Sequence, residues 1–475
     1  MSACDTYLRE EELELKDIAH GGVCVGRGSD GRVVFVRGGI PGELVKVRIV
    51  SEKKKFARGF VADVVAASPY RIDHPWAVGA AGETGAADFG HIELGWQREL
   101  KGQVIRTQIE RVGGAALAQQ MADMCVTPIG IDPAAEAVAD TRKVGWHTRT
   151  RFDVIKMETG VGMYREHSHE LLPLDSMPLA VRELEELELF GTLWDKVLEP
   201  GERLHVVAPA SGPNVIVLPE RKLIFSRASL ASGVLSSKDV VLGSKDAEDM
   251  GVPDCAAVIE SIPDFLVLPA MRLRERASDG CDIFDYDISP NGFWQIHYRA
   301  PRALLREVMG AARVQAGDRV LELFAGAGLF SVPLARAVGD AGALLTLEGS
   351  DTAVADAQVN LQRYPWADAR QAWIGGREIT EALDEVKPRV VVADPPRAGL
   401  GVCCARVLAN TRYLQRVVLA SCDPAAMARD AGVFAQAGWR VESFAALDIF
   451  PHTHHVESVV LMSKASIETR GERLF

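Results

Sequence analysis

The sequence predicts an α/β protein in three parts: a small N-terminal unit of half-buried strands, a mixed α+β middle, and a C-terminal doubly wound parallel sheet. Three observations carry this. From Phe293 to Lys464 short apolar runs alternate with stretches of helical spacing, the pattern of strands and crossover helices. Within it, Val320-Leu321-Glu322-Leu323-Phe324-Ala325-Gly326-Ala327-Gly328 runs a strand into a glycine-rich turn that opens a helix, the arrangement that holds a nucleotide-like cofactor. Up to about Ser68 apolar and polar residues alternate as in half-buried strands, with turn signals at Gly21-Gly22, Ser29-Asp30-Gly31 and Gly38-Gly39. At 475 residues the chain is too long for one core, and three domains are expected, at 1–68, 69–290 and 291–475.

Taken in order, Leu94 to Val112 has helical spacing, with Leu100, Val104, Ile105, Ile109 and Val112 on one face. Trp146, Arg149 and Arg151 lie in an expected strand, and Tyr164, Arg165, His167 and His169 in its partner. Roughly 185–285 carries few motifs. The C-terminal strands are expected at Arg319–Phe324, Ala343–Glu348, Val390–Ala393 and Arg416–Ala420, with a late pair near Trp439–Ala446 and Ser458–Met462 whose short connection suits an antiparallel hairpin.

The net charge of −12 argues against indiscriminate nucleic-acid binding, so any RNA contact must be local. One local surface is visible. Between Glu43 and Arg58 the basic residues Lys46, Arg48, Lys53, Lys54, Lys55 and Arg58 outnumber the acids, and Phe56 sits among them as a stacking candidate. On charge alone a solvated hairpin whose lysines protect an edge is the better reading of them. No apolar run is long enough to span a bilayer, and Glu10 to Glu12 stand where a signal peptide needs basic then apolar residues, so a cytoplasmic protein is expected. Eight cysteines without regular spacing suggest neither disulfides nor a zinc site.

Chemistry concentrates near the C-terminus. Val418-Leu419-Ala420-Ser421-Cys422-Asp423-Pro424 offers a thiolate nucleophile, and Pro451-His452-Thr453-His454-His455-Val456-Glu457 offers a base. Asp394-Pro395-Pro396-Arg397 also follows a β-rich run, so all these motifs fall at the carboxyl edge of one sheet. The chain resembles the S-adenosylmethionine-dependent RNA 5-methyluridine methyltransferases. Its N-terminus, through Asp17-Ile18-Ala19-His20-Gly21-Gly22, Val33-Val34-Phe35-Val36, Ile40-Pro41-Gly42-Glu43 and Phe60-Val61-Ala62, resembles the OB-like TRAM barrel of that family.

The resemblance implies a Rossmann-like class I methyltransferase domain and methylation of uridine C5 in tRNA or rRNA. By it, Cys422 is the nucleophile that adds to C6 and Glu457 the base that removes the C5 proton. Phe324, Gly326 and Gly328 line the cofactor pocket, Glu348 receives the ribose hydroxyls, and Gln295 and Asp394 stand between cofactor and target base. Lys53, Lys54, Lys55, Phe56 and Arg58 contact RNA, Arg149 and Arg151 add a second contact, and the helix at 94–115 packs on the catalytic domain. A lowered Cys422 pKa, from backbone amides or Arg429, is expected because attack needs thiolate. A monomer is expected.

Several family features are replaced. Many members hold an iron–sulfur cluster on four cysteines; here Trp76, Thr84, Ala87 and Met177 stand in that region, so no cluster is expected. Asn is common in the family where Leu329, His297 and Asp423 stand, and Gly375-Gly376 occupies the stretch that meets the adenine. The histidines of the late motif lack metal-ligand spacing and are expected to be structural, with no metal. Taken alone, Glu457 reads as a strand-edge acid and Gln295 as a helix cap. Two other readings stand beside the enzyme: a non-catalytic RNA-binding protein on a degenerate methyltransferase fold, and a small-molecule methyltransferase, for which the barrel would have no purpose.

Overall fold

The computed structural model describes residues 7–80, 82, 84–131, 144–166, 168–196, 198–219, 223–226, 266–268 and 272–464. Five strands, β1 (Arg9–Ile18), β2 (Cys24–Arg27), β3 (Val33–Arg37), β4 (Leu44–Glu52) and β5 (Phe56–Ala66), close a barrel in the order β1-β2-β3-β5-β4. Alternate residues such as Leu13, Leu15, Val34, Val36, Val45, Val47 and Ile49 fill its interior, as the period of two requires. Lys53, Lys54 and Lys55 are exposed at the β4–β5 tip. Arg58 lies over the half-buried Phe56 ring at 5.6 Å, and Phe56 packs edge-on against Phe35.

The chain continues through α1 (Leu94–Arg111), α2 (Gly114–Met121) and a two-residue strand, β6 (Ile129–Gly130). A seven-stranded antiparallel sheet follows, built from β7 (Arg151–Lys156), β8 (Val161–Tyr164), β9 (Leu171–Leu174), β10 (Arg203–Val207), β11 (Val215–Leu218), β12 (Leu223–Ser226) and β13 (Leu266–Leu268), in the order β13-β12-β11-β10-β7-β8-β9. The hairpin of β14 (Leu273–Ser278) and β15 (Ile283–Ile288) turns Phe284, Tyr286 and Ile288 onto Leu304 and Leu305 of α3 (Ala300–Ala312).

The last unit contains β16 (Arg319–Leu323), α4 (Ser331–Val338), β17 (Ala343–Glu348), α5 (Asp351–Leu361), β18 (Ala367–Gln371) and α6 (Gly376–Val386), followed by β19 (Val390–Ala393), α7 (Val402–Asn410), β20 (Arg416–Ser421), α8 (Pro424–Gln436), β21 (Trp439–Asp448) and β22 (Glu457–Lys464). Its sheet runs β18-β17-β16-β19-β20-β22-β21-β6. The expected strands appear within about two residues and the late pair is an antiparallel hairpin. The sheet is therefore mixed, because β22 runs against β20 and β21. Two edge strands lacked a sequence signal: β18 reads Ala-Asp-Ala-Arg-Gln with one buried residue, and β6 has only two residues.

The second basic surface is corrected. Arg151 is buried in an ion pair with Glu275, and Arg149 donates to the carbonyl of Ala86 at 2.7 Å, so both serve packing rather than an exposed RNA contact. Arg149 and Trp146 also precede β7 instead of lying in it. Tyr164 is exposed at the end of β8, while His167 lies outside the described residues.

Helix α1 packs Ile105 and Ile109 into the core that holds Met427, Ala428 and Ala431 of α8. Its polar side is fastened to β21. Lys101 Nζ donates to Asp448 Oδ1 at 2.6 Å and Arg98 Nε to Oδ2 at 3.0 Å, with the Asp448 carboxylate fully buried. Among the described residues no helix is long and apolar enough to cross a membrane.

Asp448→Ala would leave the Lys101 ammonium buried without its partner, and urea unfolding followed by tryptophan fluorescence should show a loss of about 3–5 kcal/mol. Burial alone would raise the Asp448 pKa, but Lys101 and Arg98 outweigh it and hold it below the usual carboxylate range. This stabilisation is therefore complete above pH ~4 and disappears as pH falls through the lower folded value. Unchanged unfolding in the variant would show that the pair is not what holds α1 to β21.

Candidate active site

The antiparallel register of β20 and β22 pairs Ser421 with Ser458. Cys422 is the first residue past β20 and Glu457 the first of β22, close enough for the Glu457 charge to act on the thiol. Asp394 follows β19, whose Ala393 is level with Leu323 of β16, and its amide donates to the Leu323 carbonyl at 3.3 Å. The motifs scattered over the sequence thus converge on one sheet edge, as the crevice rule for open α/β sheets requires.

A cleft of about 170 Å³ opens at Cys422. Its walls come from His20, Gly21 and Gly22 of the β1–β2 turn, from Phe89, and from Arg397, His454 and His455. The barrel is thus part of the wall. Gly22 packs so closely that a Cβ there would fall 2.5 Å from the His454 Cβ.

On the cofactor side, Glu348 ends β17, one register step beyond the Leu323–Leu347 pair. Its carboxylate accepts the Gly326 amide at 2.9 Å and the Ser350 amide at 2.8 Å. Phe324 turns the chain out of β16 with φ 61°, a conformation costly for a bulky residue and typical of functional sites. This ends β16 one residue before the predicted strand end. A Cβ on Gly326 would meet nothing within 4 Å, so the backbone there borders open space. Gln295 is half-buried between β15 and α3, and the cap of α3 is Arg299, not Gln295.

Electrostatically the site is acidic. Burial, then the nearby Asp394, raises Glu457 well above the carboxylate range, with the Ser421 amide opposing. Asp394 is raised by burial and by Glu348. Glu322, a buried acid that sequence reading passed over, is pushed up to about 8 by burial, against the hydroxyl of Ser331, which donates to it at 2.6 Å. Its only sequence signal was an acid inside an otherwise apolar strand. The expected low thiol pKa is corrected as well: burial, Glu457 and Asp394 push Cys422 up to about 12. Arg397 is the cation that opposes them. Arg429 instead donates to Asp430 at 2.9 Å and to the Ala398 carbonyl at 2.7 Å.

The comparisons with known proteins agree with this geometry. The family described as tRNA (Uracil-5-)-methyltransferase matches residues 273–465, and the TRAM domain matches 9–62. An RNA methyltransferase of Streptomyces coelicolor is 33% identical over 464 residues, covering 96% of this chain and 93% of that one. The chain belongs to the TRAM-containing RNA (uracil-5-)-methyltransferase family. A 23S rRNA (uracil(1939)-C(5))-methyltransferase of Halomonas elongata is 30% identical, covering 95% of this chain and 89% of that one. Among solved structures, the Pyrococcus abyssi tRNA (uracil-54, C5)-methyltransferase in complex with S-adenosyl-L-homocysteine superposes with a TM-score of 0.60 at 21% identity, over 95% of this chain and 99% of that one.

In this methyltransferase the late histidines hold the loop between β21 and β22. His452 stacks on Trp146 at 4.2 Å, receives the Gln97 side-chain amide at 3.1 Å and donates to the Val144 carbonyl at 2.9 Å. Burial pushes its pKa down to about 4. His455 accepts from Arg397 at 3.2 Å, and burial with the neighbouring His454 and Arg397 takes it down to about 3. His454 bonds Asp88 at 2.6 Å. Trp76, Ala87 and Met177, set against cluster thiolates only by the family resemblance, are buried in one apolar core with Trp194, Leu204 and Phe225, and Thr84 donates to the sulfur of Met163. None supplies a thiolate, and the space is filled by packing, so these residues do not fit an iron–sulfur group.

In the free protein Cys422 should alkylate slowly. Iodoacetamide labelling, followed by mass spectrometry of its peptide, should keep rising about tenfold per pH unit through pH ~10, because an ordinary thiol of pKa ~8.5 would level off earlier. A plateau at or below pH ~9 would show a thiol that its acidic neighbours do not perturb.

Proposed function

We propose that this enzyme methylates C5 of a uridine in tRNA or rRNA, acting as a monomer and using S-adenosylmethionine, through a covalent bond between Cys422 and C6. The nearness of Cys422, just past the end of β20, to Glu457 at the start of β22 carries this reading. Uracil C5 is too weak a nucleophile to take a methyl group directly. Adding a thiolate at C6 concentrates enolate charge at C5 and divides one hard step into easier ones.

S-adenosylmethionine supplies the methyl group on a sulfonium cation. Glu348, Asp394 and the buried Glu322 favour a cation beside the β16 turn and oppose the pyrophosphate of a dinucleotide, so the acidic site supports this cofactor over the anionic ones that use similar turns. Phe324, Gly326 and Gly328 would border it, Glu348 would accept ribose hydroxyls, and Gln295 would stand between it and the base. A positive charge there would also offset the acids that hold the Cys422 proton.

After methyl transfer the C5 proton must leave before the Cys422–C6 bond can break. Glu457 suits that task. Its Oε1 has no hydrogen-bond partner, and burial that disfavours its anion makes it a stronger base. The target base must leave its stack to reach a walled cleft, which costs least at an unpaired uridine. Lys53, Lys54, Lys55 and Arg58, with Phe56, would follow the RNA backbone from the barrel tip. No iron–sulfur cluster takes part, and stoichiometric iron with acid-labile sulfide in purified protein would overturn that part of the reading.

Two variants test the chemistry. Cys422→Ala should abolish methyl transfer and capture by 5-fluorouridine RNA while S-adenosylhomocysteine still binds. Glu457→Gln should let addition and methylation proceed but block resolution, leaving a protein–RNA band that survives denaturing gels and carries the methyl label. Mass spectrometry of tRNA and rRNA from cells with and without the gene locates the product. Appreciable methylation by Cys422→Ala would exclude the covalent route, and normal turnover by Glu457→Gln would remove Glu457 as the base.

A further inference from the structure

The motif Asp17-Ile18-Ala19-His20-Gly21-Gly22 lies in the N-terminal barrel, yet its turn borders the cleft at Cys422. His20 Nε2 donates to Asp423 Oδ2 at 2.8 Å, joining residues 403 positions apart. Asp423 immediately follows the proposed nucleophile. Its other oxygen, Oδ1, accepts the Ala426 amide at 2.8 Å and caps α8. One carboxylate is thus held from two sides, by the helix it starts and by the barrel.

We propose that His20 is a positioning residue of the active site: by clamping Asp423 it fixes the backbone that leaves β20 and so aims the Cys422 thiol at C6 of the target base. This rests on the covalent reading above. Cys422 is followed by a residue with extended backbone (φ −127°, ψ 116°) that ends the strand and starts the helix. Its main-chain carbonyl accepts the Met427 amide at 2.9 Å and the Ser421 hydroxyl at 3.2 Å, bonds to sequence neighbours, and His20 adds a tie to its side chain from the barrel. The barrel can supply it because its turn is seated firmly. The Ala19 amide donates to the Val23 carbonyl at 2.8 Å, and Gly22 lies against His454 and Phe89 with no room for a side chain. His454 is in turn bonded to Asp88.

The acid at position 423 makes the contact an ion pair whenever His20 carries its second proton. The hydrogen bond to Asp423 raises His20 above its ordinary pKa. Burial alone would raise Asp423, but His20 and the Ala426 amide bring it below the usual range. Side-chain exposures of 43% and 23% keep the pair in contact with solvent, so its value lies in orientation rather than in stability.

The test uses the full-length enzyme with transcribed RNA under single turnover at saturating RNA and S-adenosylmethionine. His20→Ala should slow methyl transfer by about 10- to 100-fold, the cost of a reacting atom misplaced by roughly 1 Å. The dissociation constant for RNA should change by less than about twofold, because the lost interaction acts on the chemical step and not on binding. His20→Gln, which keeps a side-chain donor, should recover most of the rate. In an Asp423→Ala background, His20→Ala should cost clearly less than in the wild type, since both changes break one contact. An unchanged rate, a loss confined to RNA affinity, additive effects in the double variant, or a lowered melting temperature that His20→Gln does not restore would each overturn the proposal. Methylation by Cys422→Ala would instead defeat the covalent reading itself. An inactive Cys422→Ala beside a normal His20→Ala defeats only the role of His20.

Discussion

The active site depends on how the eight-residue connection between β21 and β22 is held. It leaves β21 at Asp448, whose buried carboxylate takes both Lys101 and Arg98 of α1, and it enters β22 at Glu457. Lys101 also donates to the Phe450 carbonyl at 3.0 Å, so one buried ammonium fixes both the strand end and the loop that follows. From there the loop touches every part of the protein: Gln97 of α1, Asp88 and Trp146 of the middle, and Gly22 of the barrel. Burying such a charge repays its desolvation only when hydrogen bonds satisfy it, and here the same bonds define the position of Glu457.

The second constraint is electrostatic. Four acids, Glu322, Glu348, Asp394 and Glu457, gather at one sheet edge, and three of them are raised by burial and mutual repulsion. A stable fold tolerates this if some of them carry protons in the free state. The same field keeps the Cys422 proton in place. Such a field disfavours an anion in the cleft and favours a positively charged ligand. The neutral His452 and His455 contribute no charge of their own near neutral pH, leaving Arg397 as the fixed cation on the other side of the thiol.

Much of this was legible in the sequence. Apolar runs of β-branched residues, such as Val390–Ala393, and the helix at 94–111 announced themselves because burial on both faces or on one stripe leaves a clear period. Position at the ends of those strands then gathered Glu348, Asp394, Cys422 and Glu457. What escaped were features without a period: the polar edge strand β18 and the two-residue β6. Arg149 and Arg151 were misread for a physical reason. A buried arginine and an exposed one have the same sequence, and only the partners, Ala86 and Glu275, separate them. The thiol was misread likewise, since Glu457 and Asp394 are distant in sequence and Arg429 is near.

The middle of the chain is held by apolar packing among its described residues. An inorganic cluster fixes a region by a few strong bonds that need deprotonated cysteines. Here Trp76, Trp146, Met177, Trp194 and Phe225 instead fill one buried core, with Trp194 donating to the Leu187 carbonyl at 2.9 Å. Such packing spreads the same task over many weak contacts. The consequence reaches the active site through Trp146, since the indole that closes this core is the surface on which His452 stacks, and His452 leads directly into the loop that ends at Glu457. The apolar core thus supports one side of the β21–β22 loop and the Asp448 ion pair the other.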